Sequence, residues 1–494
     1  MITGNKGLCS GSSDMAEKIG SLVIHVAYTF SRFRRIWLRN SISKISKVFG
    51  VLVTATRGTK DPKDYHSIRH TNQTSGGTMS FRSFIDQLNT NGSLIEIQDP
   101  VSPEYDAARI AGNEKPHLFH SISGHRVAVN LLSSREALCT ALGIDREDMA
   151  RHLASVEPDG DTQLVTDSPT KEIRSKPDLS KLPVFTYFKN DPAPYITAGV
   201  LVTEMDGIMN ASIHRMMVIG KDKLVTRLVA PRHTYLMRKK ALERGEKLPV
   251  AIAIGLDPTV LFAICTRVPD GTEFRYASAL QEAPLEVFEC DNGIRVPHCE
   301  IVLEGYIGEE TADEGPFVDI TGTYDRVRSE PVIHITGIIH RPDPIYHAII
   351  PSGGEHKLLM GVPYEPKILS AVNGVSDARN VVLTEGGCCY FDAVVQIKKQ
   401  TEGDSKNAML AAFAAHPSLK NVVVVDPDIN VYDPRDVEFA IATRVLGDRD
   451  VLMITNVRGS SLDPISAPDG TTTKIGVDAT MPLGKEDAFV RVMA

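Results

Sequence analysis

The stretch Asn421-Val422-Val423-Val424-Val425-Asp426 decides the fold class of the C-terminal third of this 494-residue chain. Four consecutive valines with no polar alternation predict a strand buried on both faces. The segments around it carry other periods. Ala393-Val394-Val395-Gln396-Ile397 reads as a second strand, Ser405 to Ala415 as a helix with Ala408, Leu410, Ala411 and Phe413 to pack, and Pro434 to Val445 as another helix. Strand, helix, apolar strand, helix is the pattern of a parallel sheet covered on both sides. Residues 343–494 are therefore expected to form an α/β domain with a parallel sheet.

Upstream the pattern changes. Between about 161 and 342, Ile196 to Thr203, Met216 to Ile219, Val250 to Ile254, Ile301 to Leu303 and Val332 to Ile338 look like strands closely punctuated by Gly and Pro. That predicts an antiparallel sheet or barrel rather than a doubly wound fold, with His233 to Arg244 as a helical insertion. Residues 156–183, rich in Pro, Asp, Ser and Thr, read as a linker or extended crossing. Residues 79–160 read as an N-terminal α/β domain. Ser80 caps a helix through Leu88, Leu94 to Ile97 and Arg126 to Leu131 are strands, and Ser134 to Leu142 is a helix ended by Gly143.

Residues 1–78 are expected to lie outside this fold as an N-terminal extension. The longest apolar run, Ile19 to Phe30, is interrupted by His25 and is too short for a membrane span. The basic residues that follow, from Arg32 to Lys60, would suit a membrane surface or a targeting segment. The polar stretch Thr71–Thr78 and the patterned start at Met79 favour an appendage.

Composition narrows the function. Apolar residues are 42% and charged residues 23%, with a formal net charge of −8. This is a globular composition without the basic field of a nucleic-acid binder. Seven cysteines, none in a C-x-x-C pair, argue against a disulfide framework or a zinc finger and for reduced thiols in the cytoplasm. Cys388 and Cys389, beside Gly386-Gly387, read as small packed residues. No G-x-x-x-x-G-K-[ST] loop, H-E-x-x-H helix or G-x-S-x-G elbow occurs.

Four stretches remain that could carry chemistry: Asn210-Ala211-Ser212-Ile213-His214-Arg215, Arg227-Leu228-Val229-Ala230-Pro231-Arg232-His233, Asp270-Gly271-Thr272-Glu273 and Glu314-Gly315-Pro316-Phe317-Val318-Asp319. Taken singly, each is as readily a polar strand end, a basic turn, a helix cap or a solvated acidic turn. Taken together, Asn210, His233 and Glu273 offer an amide oxygen, an imidazole nitrogen and a carboxylate. That mostly hard donor set suits Mn²⁺ or Mg²⁺ better than structural zinc. Glu314 and Asp319 could split into unlike acids, and Arg215 could hold an anionic substrate by a two-point fork.

In this order and at these separations, NASIHR, TRLVAPRH, DGTEF and EGPFVDITGTY resemble the motifs of the UbiD family of decarboxylases. DPAPYITAGVLVT, EGGCCYFDAVVQIKKQ and VVVVDPDINVYDPRDVEFAIATR extend the likeness over about 80–480. The resemblance implies that 161–342 form a split β-barrel binding prenylated FMN, with Mn²⁺ (or Mg²⁺) and K⁺ as companion ions. It implies Asn210, His233 and Glu273 as metal ligands. Ile213, His214, Arg215, Arg227, Leu228, Val229, Arg232, His233 and Lys399 (with Lys398 as neighbour) fall at cofactor positions. Arg215, Glu314 and Asp319 fall at the catalytic triad, with Asp319 as the proton donor; the family has Glu there in other branches. The modified flavin would act as the electron sink for an α,β-unsaturated acid. A carboxylic acid donating near neutral pH needs a raised pKa, which a desolvated pocket beside Glu314 could supply.

The stretch IIPSGGEHKLLMG offers Ser352, His356 and Lys357 to a small phosphorylated substrate. The chain resembles the archaeal-type branch of the family, and that resemblance implies conversion of trans-anhydromevalonate 5-phosphate into isopentenyl phosphate and CO₂. An aromatic or 4-hydroxy-3-polyprenylbenzoate acid is the alternative substrate, and a non-catalytic flavin-binding subunit the alternative class. A homo-oligomer supplied with cofactor by a flavin prenyltransferase, without nucleic acid or stable membrane insertion, completes the expectation.

Overall fold

The computed structural model describes residues 79–492. The extension 1–78, with its basic segment, lies outside the described residues. Among the described residues no helix is long and apolar enough to cross a membrane.

The first helix, Phe81–Thr90, starts as the sequence predicts: the Ser80 hydroxyl accepts from Ser83 N–H and the Ser83 side chain answers on Ser80. Helix Arg135–Leu142 is capped by Ser134 and stopped by Gly143 in the left-handed region. Strands Ile95–Ile97, His117–Ile122 and His125–Val129 line up in one sheet. The fourth strand of that sheet comes from far along the chain: Ile345–Ala348 pairs parallel with His125–Val129, Tyr346 opposite Val127.

The middle of the chain builds a nine-stranded sheet whose pairings are all antiparallel, as the short punctuated strands predict. Its longest members, Ile301–Glu314 and Arg328–His340, lie side by side. The first runs far beyond the Ile301–Leu303 core because its outer half is exposed and polar, without alternation to betray a strand. A bulge at Glu304/Gly305 bends this pair. Gly305 is required there, since a Cβ would lie 2.2 Å from the His334 carbonyl oxygen. Residues 196–203 are not one strand: Tyr195–Ile196 and Val200–Met205 pair with different neighbours. Nor is 156–183 merely a linker. Thr162–Val165 pairs parallel with Leu285–Glu289, and Ile173–Ser175 with Arg328–His340.

In the C-terminal sheet the strands Asp392–Lys398, Asn421–Val425 and Thr471–Ala479 run parallel, flanked by antiparallel Asp377–Leu383 and Val451–Arg458. Helix Asp404–Ala415 packs Ala408, Met409, Ala412 and Phe413 in the core that contains Val422 and Val424. Val437 and Ala440 of helix Pro434–Arg444 pack in a second core with Val394 and Val425. The apolar strand is thus covered on both faces. Cys389 is buried and Cys388 half-buried, both as free thiols at positive φ.

Candidate active site

Arg215 leaves the end of strand Ile208–Ile213, immediately before Met216–Val218. Glu314 is the last residue of Ile301–Glu314 and is fully buried. Gly315 follows at φ +93°, a conformation that disfavours a side chain, and turns the chain into a hairpin, Phe317–Val318 with Tyr324–Asp325. Sheet and hairpin thereby converge on one guanidinium. Arg215 Nε donates to Glu314 Oε1 at 2.9 Å and Nη2 to Glu314 Oε2 at 2.9 Å; Nη1 reaches Asp319 Oδ2 only at 3.3 Å. The fork on Glu314 is the bidentate arrangement with the strongest geometry. Burial would weaken the Arg215 charge, but Glu314 and the two aspartates facing it raise its pKa instead. The guanidinium also lies 4.9 Å from the centre of the Phe317 ring.

Of the donor set singled out for a metal, Asn210 and His233 touch, and Glu273 reaches the backbone beside Asn210. His233 opens helix His233–Glu243, and its Nδ1–H donates to Asn210 Oδ1 at 3.1 Å; its Nε2 faces Asp270 Oδ1 at 3.0 Å. Glu273 opens helix Glu273–Gln281 and is buried. Its carboxylate takes the backbone N–H of Ala211, the residue after Asn210, while Oε2 has no hydrogen-bond partner. Burial pushes Glu273 up to about 7, only partly offset by the backbone N–H groups. An unpartnered buried carboxylate oxygen costs about 1–3 kcal/mol or more, so a cation there would relieve it. Asn210 Nδ2 is anchored to Thr234 Oγ1 at 3.0 Å, which turns the amide oxygen towards His233.

Most of the proposed cofactor positions fall at the end of strand Ile208–Ile213 and in the segment before helix His233–Glu243. Ile213 and His214 are half-buried. His214 Nδ1 faces the Arg227 carbonyl and Nε2 the Ser212 hydroxyl, each at 2.9 Å, and burial lowers its pKa. Arg227 pairs with Glu330, which also accepts from Leu228 N–H at 3.2 Å. Leu228 is buried, Val229 is 43% exposed, and Arg232 sits exposed at the start of helix His233–Glu243. Lys399 belongs to the C-terminal sheet region, just past strand Asp392–Lys398. Its ammonium pairs with Glu402 at 2.8 Å and lines a cavity of about 1070 Å³ with Lys398, Asp426, Asp428 and Tyr432 at the carboxyl ends of the parallel strands. Ser352 and His356 reach the hairpin: Ser352 Oγ donates to the Ile320 carbonyl, and Ser352 N–H to His356 Nδ1, each at 3.0 Å. Burial lowers the His356 pKa against the opposing pull of Asp319. Lys357 follows on helix Gly354–Gly361 and is half-buried.

Three charged residues of this region escaped the sequence reading: Asp325, Arg328 and Glu330. Asp325 accepts from Arg215 Nη2 at 3.0 Å and stands one residue past the quoted motif. Glu330 lies on the neighbouring strand, where nothing in the sequence marks its partner.

Three family domains match in order: residues 85–156 the N-terminal domain, 163–354 the Rift-related domain and 357–479 the C-terminal domain of UbiD, 3-octaprenyl-4-hydroxybenzoate carboxy-lyase. The anhydromevalonate phosphate decarboxylase of Methanosarcina mazei is 64% identical over 418 residues, covering 84% of this chain and 99% of that protein. The UbiD-class enzyme HmfF from Pelotomaculum thermopropionicum, solved with FMN, superposes with a TM-score of 0.81 at 37% identity, covering 84% of this chain and 97% of that one. An evolved dimeric form of HmfF, solved with prFMN, gives 0.77 at 35% over the same shares. With three domain matches in sequence and near-complete coverage of a relative at 64% identity, this chain belongs to the UbiD family of carboxy-lyases.

Proposed function

We propose that the protein decarboxylates trans-anhydromevalonate 5-phosphate to isopentenyl phosphate and CO₂, a step of isoprenoid synthesis by a modified mevalonate route, with prenylated FMN as cofactor. One observation carries the chemistry: a single guanidinium, forked onto buried Glu314, presents its remaining end beside Asp319. The 64% identity to the Methanosarcina mazei enzyme supports the choice of substrate.

The nine-stranded sheet, as a split barrel, would hold the flavin along Ile213–Arg215 and Arg227–Arg232, and Lys399 would meet its phosphate. Asn210, His233 and Glu273 would hold Mn²⁺ or Mg²⁺, and the unpartnered Glu273 oxygen fits that role. When bound, the prenylated flavin supplies the sink for the electron pair that departing CO₂ leaves behind. Arg215 Nη1 orients the substrate carboxylate. After the C–C bond breaks, Asp319 delivers its proton to the carbon that carried the carboxylate. Glu314 keeps Arg215 charged and in place. Ser352 and His356, beside the Asp319 hairpin, with neighbouring Lys357, would form the side on which a substrate phosphate lies. A cytoplasmic homo-oligomer is the expected form.

The test is product analysis of enzyme reconstituted with prenylated FMN and Mn²⁺. Isopentenyl phosphate and CO₂ should appear from the phosphorylated acid and no product from 4-hydroxy-3-polyprenylbenzoate. The reverse pattern would move the protein to the aromatic-acid branch. Turnover of neither acid by flavin-loaded protein would leave the non-catalytic reading.

A further inference from the structure

Arg215 has more partners than Glu314 and Asp319. Its Nη2 donates both to Glu314 Oε2 at 2.9 Å and to Asp325 Oδ2 at 3.0 Å. Asp325 is gripped in turn by Arg328, Nη1 to Oδ2 at 2.6 Å and Nη2 to Oδ1 at 2.7 Å, and its Oδ1 accepts the Arg326 backbone N–H at 2.9 Å. Phe317 pairs with Asp325 across the hairpin, so the turn that presents Asp319 presents Asp325 as well.

We propose that Asp325, tied to Arg328, is a positioning residue for the decarboxylation: it fixes the rotation of the Arg215 guanidinium and sets the charge beside Asp319. This rests on the function proposed above. A guanidinium has five N–H groups. Nε and one N–H of Nη2 are spent on Glu314 and the other N–H of Nη2 on Asp325. Nη1 is left with one long contact to Asp319, so it is the end free to take a substrate carboxylate. Without Asp325, Glu314 and Asp319 compete for the same cation. A fork onto Asp319 would hold the proton donor in its ionised form.

The charge count points the same way. Glu314, Asp319 and Asp325 face Arg215, Arg328 faces Asp325, and His356 of helix Gly354–Gly361 lies within the field of Asp319, Arg215 and neighbouring Lys357. Burial keeps His356 towards its neutral form. Glu314 takes the fork of Arg215 and Asp325 that of Arg328, which leaves Asp319 without a guanidinium of its own. Burial alone would raise Asp325, but the two guanidiniums bring it down to about 2, so it stays ionised. Asp319 has the longest contact to Arg215 and is the least firmly tied of the three carboxylates.

The experiment is the pH dependence of kcat for reconstituted holoenzyme carrying Asp325→Asn, Arg328→Gln or both. Asp325→Asn should lower kcat about tenfold and move the alkaline limb down by about one pH unit, because losing a negative charge lets the neighbouring acid ionise earlier. Arg328→Gln should move the limb up, and the double variant should return it to the wild-type position. Asp325→Glu, which keeps the charge, should leave the limb in place and recover part of kcat. If all four variants share the wild-type limb while their thermal midpoints fall, Asp325 is only structural and the inference is overturned. If wild-type holoenzyme fails to turn over the phosphorylated acid, the proposed function falls first and takes this inference with it.

Discussion

Two buried arginine forks in this molecule look alike and differ in one respect. Arg135, on helix Arg135–Leu142, donates to Glu365 at 2.9 and 2.5 Å and to the Leu383 carbonyl at 3.1 Å; the same carboxylate accepts Leu383 N–H at 2.7 Å. That is one cation, one anion and no opening. Arg215 has the same fork on Glu314 but faces two further carboxylates and keeps one end free. A balanced pair ties elements together. Three carboxylates on one guanidinium leave Asp319 loosely tied. The number of partners sharing the guanidinium, rather than burial, separates the two forks.

Breaking each fork should therefore have different consequences. Arg215→Gln should reduce kcat/KM by about 10³-fold or more, from loss of a charge pair worth roughly 2–5 kcal/mol at an anion site. Steady-state kinetics on holoenzyme checks this, and a loss of less than tenfold would remove Arg215 from substrate binding. Arg135→Gln should instead lower stability by about 3–5 kcal/mol, read in denaturant unfolding, with kcat per folded molecule unchanged. Asp319→Asn sharpens the contrast: kcat should fall about 10²–10³-fold with the thermal midpoint nearly unmoved. An unchanged decarboxylation rate would show that another group supplies the proton.

How far these forks can be read in the sequence follows from where their members sit. Arg215, Glu314 and Asp319 stand at strand ends and turns, where a contiguous stretch such as EGPFVD carries both the turn and the side chains it aims. His233 and Glu273 likewise stand at helix starts, whereas Asn210 lies inside strand Ile208–Ile213. Asp325 and Glu330 are not legible in this way, because their partners Arg215 and Arg227 lie more than a hundred residues away, a pairing that a local pattern does not encode. The same limit applies to the fold. The all-valine strand is unmistakable, whereas Val451–Arg458, a half-exposed edge strand with alternating burial but polar Thr455 and Asn456, leaves no comparable trace.

Two smaller effects refine the comparison. Glu273→Gln should weaken Mn²⁺ binding at least about tenfold, measured by titrating the metal alone; unchanged affinity would place the ion elsewhere. The pH dependence of stability should carry the mark of Asp325. Its folded pKa, about 2, lies below the unfolded value near 3.9, so its contribution is present above pH 4 and is lost as pH falls towards 2. The contribution is on the order of 2 kcal/mol at most, reduced by partial solvent access. The stability gap between wild type and Asp325→Asn should close over that acidic window, and a constant gap would contradict the assignment.

The strand Ile345–Ala348, paired with His125–Val129, has a consequence for biosynthesis. A nascent chain that has emerged only through residue 160 holds three strands of a four-stranded sheet, with one edge bare. Closing that edge must wait until the ribosome has delivered nearly two hundred more residues, which makes the N-terminal layer a late product of folding rather than an early one.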